Sequence, residues 1–160
     1  MTRVELTGPL LALSRALTDA VEAAGRADTA AFDEATSRLG RFDGEHVRRL
    51  LGAVVRPLLE SSNPDGVDGD DLLELLEDCA RAALPWWPGV EPVALAVVLT
   101  GAFGIDVAAR EELPVQLEDA DITQHAVLVV DHVLRASGRP LRPALDAAFV
   151  EIAREDGQDT

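Results

Sequence analysis

The sequence predicts an all-α fold, a compact bundle of about six to seven helices around two apolar central helices. A short α-solenoid of helical pairs is the second architecture compatible with the pattern. Three observations carry this expectation. Apolar residues recur at three- and four-residue spacing over most of the chain, cap residues and Gly or Pro breakers divide it into seven segments, and alternating strand patterns and Asn-Gly hairpins are missing. At 160 residues the chain amounts to one domain, long enough for folding to remove roughly 70% of the unfolded surface from water. The helical domain is expected over residues 1–155, with 156–160 as a frayed tail.

The first helix is expected to start near Pro9, a favoured first-turn residue, and to stop at Gly25. Leu10, Leu13, Leu17, Val21 and Ala24 form its apolar stripe. The second is capped by Asp28 and ended by Gly40, with Phe32, Ala35 and Leu39 inward. Asp43 caps the third, and Phe42 staples onto Val47 one turn in. Val47, Leu50, Leu51, Val54 and Leu58 make its buried face, and Pro57 is expected to kink or split it, having no N–H to donate.

The run SSNPDGVDG is the strongest loop signal. Asp68 and Asp70 are both candidate caps for the fourth helix, which runs to about Leu84. Leu72, Leu76, Cys79, Ala80 and Ala83 line one side of it, and Asp70, Glu74, Glu77, Asp78 and Arg81 line the other. After LPWWPG a fifth helix opens at Pro92, apolar all the way round, as an interior helix is; Gly104 is its expected end. Residues 105–121 lack periodicity. A sixth helix is predicted from Asp121, with Gln124 completing a capping box, to Gly138, burying Ile122, Ala126, Val129, Val130 and Val133. The last runs from about Pro143 to Arg154 and buries Leu145, Ala148, Phe149 and Ile152.

The net charge of −15 is unevenly spread. Residues 1–56 are balanced, eight Arg against eight acids, whereas residues 57–134 hold sixteen acids against Arg81 and Arg110. Such a field repels phosphate backbones and anionic lipid, which argues against nucleic-acid and membrane-surface binding. The plainest use of the charge is solubility, and the next is attraction of a basic protein or of divalent cations. All 14 basic residues are Arg, so amine-nucleophile and Schiff-base chemistry is excluded. The longest uncharged run, Pro92–Ile105, falls short of the about 20 residues that a membrane-spanning helix needs. The N-terminus, with Glu5 and Arg15 around its apolar part, is a poor match for a signal peptide. With Cys79 as the sole cysteine no internal disulfide forms, so a cytoplasmic location is expected.

Among chemistry-bearing residues, His125 and His132 lie two turns apart on one helical edge, one turn beyond Asp121. Histidines and a carboxylate on one edge can begin a metal site, with His46 as a further arm. His-Glu-x-x-His, Glu-x-x-His and Cys-x-x-Cys spacings are missing, and the histidines stand ~10 Å apart along the axis. Boundary histidines with ordinary partners are therefore expected, and no cofactor is assigned. The loop NPDGVDGDDLLE fails the calcium-loop spacing, because Val67 falls at the third position counted from Asp65. Cys79 sits on an apolar stripe in a negative field, the wrong setting for a reactive thiolate. Gly-rich phosphate loops and Gly-x-Ser-x-Gly are absent.

Trp86 and Trp87 stand between Pro85 and Pro88. Neighbouring indoles so constrained do not easily both face the core, so one is expected to anchor the loop while the other is partly exposed. Exposed Trp is typical of interface hot spots. With the acids Asp70, Glu74, Glu77 and Asp78 close in sequence, this is the expected partner surface. The functional expectation is a non-enzymatic protein-binding or regulatory module, its partner another protein or a second copy of itself. An inhibitor or immunity-type protein for a basic partner fits the same charge. A small metal-dependent helical enzyme built on Asp121, His125 and His132 is the rival from a different class.

Overall fold

Seven helices form where caps and breakers place their ends: α1 (Gly8–Gly25), α2 (Thr29–Leu39), α3 (Gly44–Ser62), α4 (Gly69–Ala83), α5 (Pro92–Ala102), α6 (Asp119–Ser137) and α7 (Leu141–Gln158). The computed structural model describes residues 8–103 and 114–158. Among these the fold is all-α, a bundle with extensive packing between helices and no strand. α5 ends at Ala102 with Phe103 as its C-cap, ahead of the expected Gly104; Gly104 and residues 105–113, most of the aperiodic stretch, lie outside the described residues.

Short acidic side chains start the helices by accepting from otherwise orphaned amides, each cap worth about 1 kcal/mol. Asp28 accepts from Ala31 N at 3.1 Å, and Asp43 from Glu45 N at 2.9 Å. Asp68 accepts from Asp71 N at 2.8 Å while Asp71 returns the favour to Asp68 N at 3.0 Å, so of the two candidates Asp68 is the α4 cap. For α6 the expectation needs correction. The helix starts at Asp119, and Asp121 is not its cap but the third residue, accepting from Glu118 N at 2.9 Å. The same carboxylate closes the helix start, from two residues further in. Gly138 does end α6, in the left-handed conformation at φ 67° that glycine adopts without strain.

Other boundaries differ modestly. α3 continues across Pro57, whose ring is exposed, so the helix is not split there. α7 begins ahead of Pro143 and extends past Arg154 through Gln158. Leu10, expected on the α1 stripe, is 40% exposed, while Leu13, Leu17, Val21 and Ala24 are buried as predicted. Ala16, Ala20 and Ala23 join them, and α1 lies against α2 and α6 on this small-residue face.

α6 is the axis of the bundle. It packs against α1, α2, α3, α4 and α5, and the seven consecutive residues His125–Asp131 are all buried. Seven residues make about two full turns, so every side of the helix is covered. α5 meets α3, α4 and α6, and buries Ala94, Leu95 and Leu99; Val93, Val97 and Val98 are half-buried. The expectation of two interior helices thus holds all round for α6 and on one side for α5. A satellite cluster of Ala94, Leu117 and Ile122 joins the two. α7 packs on α3 through Leu145, Ala148 and Phe149. Among the described residues, no helix is long and apolar enough to cross a membrane.

Candidate functional site

The α4–α5 loop brings both tryptophans onto α2 and α6. Trp86 and Trp87 each approach Phe32 edge-on, ring centroids 5.3 Å apart, and Trp87 meets the His125 ring at the same distance. Trp87 is buried, and its indole N–H donates to Asp33 at 3.3 Å. Trp86 is half-buried, and its carbonyl accepts from the Thr29 hydroxyl. The expected anchor is therefore Trp87. Trp86 is the more exposed of the two, yet it too rests on Phe32. Consecutive indoles reach one ring because the chain turns tightly here, both amides donating to Ala83 O. Gly89 is needed beside them, since a Cβ there would come within 3.0 Å of the Trp87 ring.

His125 is the polar keystone of this cluster. The Glu91 backbone N–H donates to Nε2 at 2.8 Å, and Nδ1 lies 2.6 Å from Asp121 O. An amide only donates and a carbonyl only accepts, so the proton sits on Nδ1 and the ring is neutral. Burial lowers the pKa of His125 below the ordinary range, in the same direction. Both nitrogens are engaged, and the Asp121 carboxylate is occupied at the start of α6. His132 is half-buried near Asp131 and Arg135, its pKa also lowered by burial, and His46 is exposed in the first turn of α3. Among the described residues no three His, Cys, Asp or Glu side chains gather where a metal ion could sit.

Asp131 is a buried acid that the sequence reading passed over. Arg135, one turn on, reaches its Oδ2 with Nη2 at 2.7 Å and Nε at 3.0 Å. Burial nevertheless raises the pKa of Asp131, outweighing the guanidinium. The i,i+4 Asp-Arg spacing was the available signal, inside a run that otherwise reads as apolar. Cys79 lies nearby, its thiol pushed up to about 12 by burial and by Asp131. It is an inert core group.

The acidic residues of α4 stand apart from the tryptophans' packing. Asp70, Glu74 and Glu77 are exposed, and Asp78 is half-buried and paired with Arg81 at 3.3 Å. Two large apolar side chains accompany them: Leu73 is 54% exposed and Leu84 52%. At 100° per residue Leu73, Glu77 and Leu84 fall within one narrow sector, with Asp70 and Glu74 beside it. These leucines were also missed, although the same wheel that sorts the acids shows Leu73 among them. Comparison with protein-family models, with curated proteins and with solved structures finds no match.

Proposed function

We propose that the protein is a non-enzymatic helical binding module that docks a basic protein partner on the outer face of α4. One observation carries the reading: two leucines more than half exposed share that face with Asp70, Glu74 and Glu77. Apolar anchors rimmed mainly by acids, with Arg81 on the same face paired to Asp78, complement a partner with an apolar pocket set in basic residues. The anchors supply affinity through desolvation, and the acids steer encounter and reject acidic surfaces. This role needs no catalytic group. A reducing cytoplasm suits the lone, buried thiol.

The test compares affinity capture by the native chain, Leu73→Ser, and Glu74→Arg with Glu77→Arg. A basic partner retained by the native chain, released by raised salt and lost from both α4 variants, supports the reading. Capture unchanged by these variants, while a charge reversal at Asp19 abolishes it, moves the interface elsewhere. Self-association that Leu73→Ser dissolves replaces the basic partner with a second copy.

A further inference from the structure

A cleft of about 190 Å³ opens between α3, α5 and α6. Val55, Val97, Val98 and Ile122 are among its walls, and among the described residues Arg48 is the charged one that lines it. Its volume exceeds the roughly 150 Å³ apolar cavity known to admit benzene. Two glycines shape it. Gly52 lies in the middle of α3, where glycine destabilises a helix relative to alanine. The usual structural reason is the close approach of a neighbour. That reason is missing here, because a Cβ on Gly52 would meet nothing within 4 Å, and the same is true at Gly101 across the cleft. Neither glycine has a positive φ. Their effect is to keep the space between α3 and α5 open.

The mouth has a polar handle. The Arg48 guanidinium, 46% exposed, stands 3.4 Å from Asp119 through Nη1, a long contact for a group with five donors in a planar fork. The other two arginines of α3 face a neighbouring groove, where Arg49 pairs with Glu155 at 3.0 Å and Arg56 with Glu60 at 2.9 Å, so Arg48 alone of the three lines this cleft. A carboxylate is the head group that a guanidinium fork recognises in two-point fashion.

We propose that this cleft binds a short aliphatic carboxylate, its chain among the valines of α3 and α5 and its head on Arg48. The site is separate from the α4 face, so the failure of one proposal leaves the other standing.

Octanoate, 1-octanol and octylamine, titrated into the full chain and followed through the amide resonances of Val97, Val98 and Thr123, test it. Octanoate is expected to bind one to one, about tenfold tighter than octanol, with octylamine weakest. Arg48→Gln is expected to bring octanoate down to the octanol level. Gly52→Leu, which fills the cleft, is expected to abolish both while helicity is kept; if that variant does not fold, Val98→Phe provides the block. The proposal fails if octanoate gives no saturable shift, if octylamine binds as well as octanoate, or if a folded cleft-filling variant binds octanoate undiminished.

Discussion

α5 is the more apolar of two neighbouring helices, and α6 is the more buried. α5 has no charged residue in its eleven, yet only Ala94, Leu95 and Leu99 are buried. α6 carries His125, Asp131 and His132, and buries ten of its nineteen. The difference lies in neighbours. α6 has five helices packed around it, whereas α5 lies on one flank of α6 with the α3 cleft along part of its other side. Polar groups survive inside α6 because they are partnered: His125 joins Glu91 N to Asp121 O, and Asp131 holds Arg135. Burial in this protein follows position in the assembly more closely than it follows hydropathy.

The sharpest way to break that comparison is at His125. Replacing it by Ala removes the ring from beside Trp87 and strands the part-buried Glu91 N–H, so a loss of about 3 kcal/mol is expected in urea denaturation. A loss below about 1 kcal/mol would mean that water replaces the imidazole and that the interior of α6 is less closed than described. Next in size is a like-for-like pair. Val129→Ala, on a fully buried valine of α6, should cost about 2 kcal/mol, and Val97→Ala on α5 less than half of that. Equal costs would erase the contrast between the helices.

Acidification gives a smaller effect of definite sign. The native state holds the His125 pKa below 6.5, so the unfolded chain binds that proton more readily. The contribution is complete above pH 6.5 and is lost as pH falls below it toward the native pKa. His132, lowered likewise, acts in the same direction. Asp131, raised from 3.8, acts oppositely: its contribution is complete below 3.8 and fades as pH rises through its native pKa. On acidification from pH 7 to 5 the two histidines therefore lower stability while Asp131 opposes them, and His125→Gln should make the pH slope less destabilising by more than His132→Gln does. An unchanged slope in His125→Gln would remove His125 as its source. Smallest is a gain: Gly52→Ala, placing a methyl in open space, should stabilise the fold by about 0.5 to 1 kcal/mol in thermal or urea melts.

Helix ends were the most legible feature. Asp28 and Asp43 cap where their spacing placed them, and Asp68 is one of the two candidates for α4, because a cap depends only on a side chain and amides two or three residues on. α6 shows the limit of this logic. Asp121 is a sound cap from its own neighbours, but the chain begins the helix at Asp119 and uses the same carboxylate from inside. For the candidate sites, the acids of α4 could be read as a stripe, of which Asp70, Glu74 and Glu77 are exposed and Asp78 is half-buried. The tryptophans could not be assigned from spacing, because their surroundings are Phe32 and His125, residues 54 and 38 positions from Trp86 and Trp87 respectively. The cleft on Gly52 was invisible as well, since an unexplained glycine acquires meaning only when its empty surroundings are seen.

By itself the sequence determined that this chain is helical, where most of its helices begin, and that its negative charge gathers in residues 57–134. Those properties depend on interactions within a few residues or on composition alone. Tertiary structure decided which helix became the axis, which indole was covered, and that a histidine on a helical edge would be consumed by two backbone groups. Each of these depends on the partner across the contact, and local periodicity carries no information about who that partner is.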